Sequence, residues 1–143
     1  MPLTEAFLNP YSQKTPPWGF SGLGYIVYKR TYARTTDEDT GATEDWAQTC
    51  QRVIDGANEI GAELSDDEAE RMFDYMFNLK GMPGGRMLWQ LGTPNNFRLG
   101  LDSLCNCWFV DIKDPSDFAW MFERLMLGGG VGFSILHPQR LGV

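Results

Sequence analysis

Two cysteines, Cys105 and Cys107, lie two positions apart at the start of an apolar run that continues to Val110. A glycine cluster at 128–130 follows one helix-sized segment later and leads into a second apolar run. Thiolates are nucleophiles and redox groups, and glycine lets a ligand approach the backbone because it has no side chain. A thiol beside bare backbone therefore indicates redox chemistry on a bound substrate.

The spacing of these cysteines leaves their role open. In a regular strand Cys105 and Cys107 point to the same face, but the demanding geometry of a disulfide disfavours a bond between them. Each thiol is better placed to pair with a cysteine on another strand. Alternatively, both are small core residues, since free cysteine is among the most buried residue types. A zinc site is not expected, because Cys50 and His137 do not complete the spacing of zinc ligands.

Two glycine-rich stretches also have two interpretations each. The cluster at 128–130 either ends a helix that packs tightly on a strand, or presents backbone N–H groups to a ligand. A Walker loop does not fit, because it needs a lysine and runs from a strand into a helix. In the stretch 83–93, Arg86 either faces a phosphate or is paired within the structure. His137, beside Pro138, is expected at the surface.

A strand–helix–strand unit is predicted to position the cysteines and the glycine cluster. Strands are predicted at 104–112 and 131–136, and both are apolar enough to be covered on both faces, as in a parallel sheet. Asp114 as N-cap and Pro115 at the first helical position begin the helix between them, and Gly128 ends it. Helical spacing predicts a buried face of Phe118, Met121, Phe122, Leu125 and Met126. Such a connection is right-handed and its strands are parallel.

Two more helices are predicted before this unit. The first has Thr43 as N-cap, with Glu44 and Asp45 in its first turn, and ends at Gly61. The second begins with the capping box Ser65–Glu68 and ends at Gly81. Their predicted buried stripes are Trp46, Cys50, Val53, Ile54, Ala57 and Ile60 in the first helix, and Ala69, Met72, Phe73, Met76 and Phe77 in the second.

The rest of the chain is predicted to be less regular. Residues 1–23 form an arm with loops, 24–28 a short strand, and 35–43 an exposed loop. Four tryptophans, Trp46, Trp89, Trp108 and Trp120, are assigned to the core. The predicted divisions are the arm and loops at 1–43, the helical region with its glycine-rich turn at 44–103, and the strand–helix–strand at 104–143.

Composition excludes several classes of function. The chain has 143 residues, 43% of them hydrophobic, which is enough for the core of one ordinary domain. Its net charge of −7 argues against direct binding of DNA or RNA, which needs a basic face. No apolar run approaches the roughly 20 residues that span a membrane. Three cysteines without a secretory signal favour a reducing compartment, so a cytoplasmic location is expected.

A sheet of two or three strands cannot stand alone as a parallel sheet, since parallel sheets need covered faces and paired edges. We therefore expect another polypeptide, or further chain, to complete it. The ordered segments resemble adenosylcobalamin-dependent (class II) ribonucleotide reductases. The resembling motifs are Val27–Arg34, Pro83–Arg86 with Leu88, Trp89, Gly92 and Thr93, Asn106–Val110, and Gly128–Ser134.

This resemblance implies an α/β fold in which the chain supplies an N-terminal helical region and the first strand–helix–strand of a ten-stranded α/β barrel, incomplete in this chain. It implies radical reduction of ribonucleotides to deoxyribonucleotides, with Cys107 as half of a redox-active pair whose partner lies outside this chain. Asn106, Gly129 and Gly130 match substrate-binding regions. The turn at Gly84 also matches one, but relatives often carry a hydroxyl residue there.

Cofactor and partners follow from the same resemblance. Adenosylcobalamin is expected, bound mainly by segments outside this chain, together with a second polypeptide that carries the rest of the barrel. A thioredoxin-like protein or small dithiol is the expected reductant. The choice between triphosphate and diphosphate substrates stays open. Two other hypotheses are a non-catalytic remnant that binds and regulates a reductase or its nucleotide, and a small Cys-x-Cys redox adaptor.

Overall fold

The computed structural model describes residues 3–135 and divides the chain into two compact units, one up to Thr93 and one from Pro94. Helices and strands are both present, and the strand–helix–strand unit is parallel, so the chain is of the expected mixed class. The finer three-part division remains a prediction. His137 and residue 136 of the second predicted strand lie outside the described residues.

The first unit is mainly helical. Its elements are α1 (Glu5–Leu8), α2 (Leu23–Thr31), β1 (Thr35–Asp37), β2 (Ala42–Thr43), α3 (Trp46–Glu59), α4 (Asp66–Phe77) and α5 (Gly85–Gln90). The predicted arm thus contains a short helix, and the predicted loop at 35–43 is a two-stranded antiparallel hairpin. The glycine-rich stretch at 83–93 contains α5. No helix of the described residues is long and apolar enough to cross a membrane.

Helices α3 and α4 pack against each other to form the core of this unit. Most of the predicted stripes are buried, but Ile60 and Met72 are exposed. The capping box at Ser65 is confirmed, whereas the N-cap of α3 is Asp45 and not Thr43. Asp45 accepts the N–H of Gln48 at 2.8 Å and its own N–H donates to the Gln48 side chain. This reciprocal pair satisfies two groups at once, which Thr43 cannot do.

Of the two predicted helix ends in this unit, the one at Gly81 is wrong and the one at Gly61 is confirmed. Helix α4 ends at Phe77 with Asn78 as C-cap, before Gly81, because Leu79 adopts a positive φ of 55°. Helix α3 ends at Glu59, and Gly61 takes the left-handed conformation that stops it, with φ of 95°. The prediction that Gly61 ends α3 is therefore confirmed.

The predicted strand at 24–28 is wrong, because these residues form part of α2. Tyr25, Ile26 and Val27 have high strand propensity but are exposed, while Tyr28 is buried. The Tyr28 hydroxyl donates to the Glu44 carbonyl at 3.0 Å and lies 2.9 Å from the Thr49 hydroxyl. Its ring also stacks on Trp18 and meets Trp46 edge-on. These tertiary contacts override local propensity.

The second unit contains α6 (Pro94–Leu99), a 3₁₀ turn (Leu101–Leu104), β3 (Cys107–Asp111), α7 (Pro115–Met126) and β4 (Gly130–Ser134). Asp114 is the N-cap of α7 and Pro115 its first residue, as predicted. Strands β3 and β4 are parallel, also as predicted, with Cys107 opposite Gly130 and Asp111 opposite Ser134. Both strands are shorter than predicted, and Cys105 and Asn106 precede β3.

Burial in the second unit differs from the prediction. On the predicted buried face of α7 only Met121 is buried, and Phe118, Phe122, Leu125 and Met126 are exposed. The strands are not covered on both faces either, since Cys107 and Phe109 are exposed. Of the tryptophans assigned to the core, Trp46 is buried, Trp108 and Trp120 are half-buried, and Trp89 is exposed. Hydrophobic spacing predicts an apolar surface correctly, but not whether the same chain covers it.

Candidate functional site

Cys107 is the first residue of β3, and its cross-strand partner Gly130 is the first residue of β4. Paired residues of a parallel sheet point to the same face, so the Cys107 side chain lies beside a position that has none. Phe109 and its partner Gly132 repeat this arrangement two residues further along. Cys107, Phe109 and Asp111 are all exposed. The thiol therefore borders an open sheet face with free space next to it.

Glycines 129 and 130 differ in their surroundings although they are adjacent. Gly129 is buried, and a Cβ built on it would lie 1.9 Å from Cζ3 of Trp108. Gly130 is exposed, and a Cβ there would meet no heavy atom closer than the Asn106 carbonyl oxygen at 3.8 Å. The two structural features expected of this cluster are therefore both present: Gly129 is tightly packed, and the backbone of Gly130 is open.

The N–H groups of both glycines are hydrogen-bonded within the chain. Gly129 donates to the Arg124 carbonyl at 3.1 Å, and Gly130 donates to the Asn106 carbonyl at 2.8 Å. A ligand that reaches this position therefore meets the Cα face of Gly130 and the exposed side chain of Asn106, not these two amides. The structure brings Asn106, Cys107, Gly129 and Gly130 together at the amino ends of the two strands.

Arg124 links the segments that precede the two strands, a role that sequence reasoning missed. Its guanidinium lies 2.7 Å from the Asp102 carboxylate in the 3₁₀ turn before β3, while its carbonyl accepts the Gly129 N–H before β4. The guanidinium also stacks on Trp120 at 5.1 Å. The only signal in the sequence was a basic residue in the last turn of α7, which is common for its favourable interaction with the helix dipole.

The other two cysteines have different environments. Cys105 is exposed in extended backbone after the 3₁₀ turn, so the prediction that it lies on the strand with Cys107 is wrong. Cys50 is fully buried in α3. Burial raises the pKa of the Cys50 thiol well above its usual range, and the nearby carboxylates Asp45 and Glu44 raise that pKa further. Cys50 therefore stays protonated and is a poor redox group.

Gly84 belongs to the first unit and immediately precedes α5. It is exposed, and a Cβ built on it would meet nothing within 4 Å. Two residues of the Val27–Arg34 motif, Tyr32 and Arg34, lie near α5, the helix that follows Gly84. The Tyr32 hydroxyl oxygen lies 3.1 Å from a Cβ built on Gly85, and the Arg34 guanidinium lies 5.1 Å from the centre of the Trp89 ring. Burial and the Arg52 charge lower the pKa of Arg34.

A cavity of about 630 Å³ lies elsewhere in the first unit, against α2. Its walls include Trp18, Leu23, Val27 and Trp46, and they carry few polar groups. Polar groups that could orient a reacting substrate are therefore few in this cavity. Among the described residues, no group of His, Cys, Asp and Glu side chains could hold a metal ion. The exposed thiols of the described residues are those of Cys105 and Cys107.

Comparison with known proteins identifies the family of the chain. A family model described as the ribonucleotide reductase alpha domain matches residues 3–93, which is nearly the whole first unit. The chain belongs to this family of ribonucleotide reductases.

Its relatives are similar in both units. It is 38% identical over 155 residues to the adenosylcobalamin-dependent ribonucleoside-triphosphate reductase of Lactobacillus delbrueckii subsp. bulgaricus, with 87% of this chain and 20% of the relative covered. The enzyme of the same name from Euglena gracilis is 38% identical over 150 residues, with 92% and 20% covered. The chain thus spans about a fifth of the length of these relatives.

A solved structure has the same fold over this part. The crystal structure of a B-12 dependent (class II) ribonucleotide reductase superposes with a TM-score of 0.78 and 34% identity, covering 93% of this chain and 22% of that chain. The resemblance to class II reductases is therefore confirmed, and the chain corresponds to their N-terminal part.

Proposed function

We propose that this chain contributes one redox-active cysteine and part of the substrate pocket to a ribonucleotide reductase. The observation that carries the proposal is the placement of Cys107, exposed at the amino end of β3 beside the bare backbone of Gly130. A reductant thiol must reach the substrate and then a second thiol. An exposed side chain with empty space on the neighbouring strand meets that requirement better than a packed one.

The proposed reaction replaces the 2′-hydroxyl of a ribonucleotide by hydrogen. Two thiols, Cys107 and a cysteine outside the described residues, each give up one hydrogen and become joined in a disulfide. The hydroxyl leaves as water, so one ribonucleotide and two thiols give one deoxyribonucleotide, one water and one disulfide. A thioredoxin-like protein or small dithiol then reduces the disulfide by thiol exchange, which needs access to Cys107.

The substrate is proposed to lie against Asn106 and Gly130, which are exposed, next to the buried Gly129. The exposed Asn106 side chain offers both hydrogen-bond donors and an acceptor to ribose hydroxyls. The Cα face of Gly130 allows close approach to the thiol, while Gly129 holds the wall in place through its packing. Gly84 is proposed as a second contact, which would be made by the main chain because no side chain is present.

The cofactor of the relatives is adenosylcobalamin, as their name states, and we propose the same cofactor for the assembled enzyme. The described residues contain no cluster of metal-ligating side chains. No step of the chemistry above is assigned to these residues through that group. Segments outside this chain would bind it.

A second polypeptide is proposed to carry the remaining strands of the barrel. The support is the uncovered apolar surface of the second unit, where Phe109 is 66% and Met126 87% exposed. Large apolar patches of this kind mark interaction surfaces. Triphosphates are the proposed substrates, because the relatives' name specifies them.

The test begins with native mass spectrometry of the chain purified from its host. A complex with a larger cysteine-bearing chain supports the proposal, and that complex should reduce ribonucleoside triphosphates only when adenosylcobalamin is added. A free chain of 16.2 kDa without activity would instead favour the regulatory remnant.

Cys107→Ser then tests the assigned thiol. Multiple turnover with a dithiol should fall by at least about a hundredfold, because the disulfide cannot form. Cys105→Ser is the matched control, since it removes a thiol that is also exposed but precedes the strand, and it should retain activity. Undiminished turnover by Cys107→Ser would refute the role. A reversible Cys105–Cys107 disulfide in the free chain would favour the redox adaptor.

A further inference from the structure

We infer that Trp108 is a positioning residue for the Cys107 thiol: its ring, packed on Gly129, sets the spacing between the amino ends of β3 and β4. This inference rests on the proposed function of Cys107 and adds a residue that acts on it indirectly. The contact is close enough that any side chain at position 129 would collide with the ring, since its Cβ would lie 1.9 Å from Cζ3 and 2.6 Å from Cε3.

The packing of Trp108 on Gly129 can affect the thiol because each of these two residues is next to a member of the Cys107–Gly130 pair. Gly129 is followed by Gly130, whose N–H donates to the Asn106 carbonyl and which pairs with Cys107. Trp108 is directly bonded to Cys107. Because the ring is seated on Gly129, a shift of one strand end relative to the other would have to move the indole ring or the peptide of Gly129.

Strand geometry then decides where the thiol points. Successive side chains of a strand alternate between the two faces. With the half-buried Trp108 held on one face, Cys107 is directed to the opposite, open face, where it is exposed. Arg124 provides a second connection between the same two strand ends, through Asp102 before β3 and through the Gly129 N–H before β4.

The decisive experiment is a double-mutant cycle in the assembled enzyme. Gly129→Ala should lower turnover by about tenfold or more with a smaller change in KM, because misplacing a reacting group by an ångström has effects of this size. Trp108→Leu removes the ring and should also lower turnover. The double variant should recover much of the activity lost in Gly129→Ala, since the new methyl group enters the space the ring has left.

A second measurement does not depend on reductase activity. Hydrogen exchange at the Gly130 amide reports the bond to Asn106, and its rate should rise in Gly129→Ala and fall back in the double variant. Gly130→Ala is the matched control for this measurement, because its methyl group would have room, so exchange at position 130 should change little. If the protein proves not to be a reductase, this measurement still tests the contact.

Two results would overturn the inference. One is a Gly129→Ala variant whose turnover and amide exchange stay within about twofold of the parent. The other is a loss that the double variant does not recover, because a residue with only a general structural role would show additive damage. Iodoacetamide labelling of the buried Cys50 in every variant monitors unfolding of the first unit. Amide exchange across α7, β3 and β4 monitors unfolding of the second unit, which holds both substituted residues.

Discussion

The carboxylate of Glu44 lies in the interior of the first unit, with only 5% of its side chain exposed. It accepts hydrogen bonds from the Arg52 guanidinium at 2.8 and 3.0 Å and from the Arg34 N–H at 2.8 Å. Arg52 also donates to the carbonyls of Leu88 and Leu91. One ion pair thus joins the chain before α3, the helix itself and the end of α5.

Replacing Glu44 by Gln should lower the free energy of unfolding by about 3 kcal/mol, because the Arg52 charge is left buried without its counterion. Urea unfolding at neutral pH measures this loss. Lys80→Gln is the control, since its 3.7 Å pair with Asp74 is exposed and is worth about 1 kcal/mol at most. A Glu44→Gln variant as stable as Lys80→Gln would contradict the assigned importance of the pair.

The roles of Ser65 and Asp114, whose hydrogen-bond partners are close in sequence, were predicted correctly. The caps Ser65 and Asp114 bond to groups within three residues, so their pattern is visible in the chain itself. Glu44 was predicted in the first turn of α3, where acids favour the helix dipole. Its true partners include Arg52 in the same segment and Arg34 before the hairpin. Distant contacts of this kind leave no periodic signal.

At the scale of elements, α7 begins with a reciprocal cap. Asp114 accepts the Ser116 N–H at 2.8 Å, while Asp117 accepts the N–H groups of Lys113 at 2.6 Å and Asp114 at 3.0 Å. The two bonds from Lys113 and Asp114 lower the pKa of Asp117 in the folded state. The folded protein therefore binds the proton of this group less readily than the unfolded chain does.

Such a group stabilises the fold above its unfolded pKa, and the stabilisation is lost as the pH falls through the folded pKa. Asp117→Asn cannot titrate, so its melting temperature should fall less steeply than that of the parent between about pH 5 and pH 2. Thermal melts followed by circular dichroism measure both slopes. Glu123→Gln, on the same helix without a cap role, should follow the parent. Equal slopes in Asp117→Asn and the parent would count against the cap.

Helix α3 and the end of α5 approach each other at two glycines. A Cβ on Gly56 would lie 2.3 Å from the Gly92 nitrogen and 2.5 Å from its Cα. Gly92 itself has a φ of 71°, and its Cβ would lie 2.3 Å from the Arg52 carbonyl oxygen. Backbone therefore packs directly on backbone, a contact that only glycine permits on both sides.

Gly56→Ala should accordingly reduce stability by about 2 kcal/mol or more, since the colliding atoms are backbone and cannot rotate away. Gly81→Ala is the matched control, because a Cβ there meets nothing within 4 Å and its φ is not positive. It should alter stability by no more than about 0.5 kcal/mol. If the two variants had the same denaturant midpoint, the close contact between Gly56 and Gly92 would not contribute to stability.

Element type was predictable where hydrophobic spacing and caps agreed, as in α3, α4 and α7. It was wrong for α2, where the run Tyr25–Ile26–Val27 favours a strand and only the contacts of Tyr28 reveal the helix. In the candidate site, the proximity of Cys107 to the glycine cluster followed from the parallel pairing. The packing of Trp108 on Gly129 did not, because spacing says nothing about which glycine lies beneath a ring.

For the whole molecule, the two units differ in how their apolar residues are covered. In the first, α3 and α4 bury Trp46, Ile54 and Phe73. In the second, the described sheet has two strands, and Phe133 on β4 is 52% exposed. A two-stranded sheet with uncovered apolar side chains is only marginally stable in water. The second unit is therefore expected to be the less protected part of the free chain.

Hydrogen exchange of the free chain and of the proposed complex tests this expectation. In the free chain, amides of 107–111 and 130–134 should exchange faster than those of α3, because few buried contacts oppose local opening. Binding of a polypeptide that covers Phe109 and extends the sheet should slow their exchange by about tenfold or more, as paired edges and buried faces stabilise strands.

Helices α3 and α4 are the internal control, since their core residues are already buried and their exchange should change little on assembly. Equal protection of β3 and β4 in the free chain and in the complex would mean that the partner covers some other surface. Slow exchange of both strands in the free chain would mean that the second unit is stable without a partner. In either case the exposed face beside Cys107 would lose its support as the surface that the proposed second polypeptide covers.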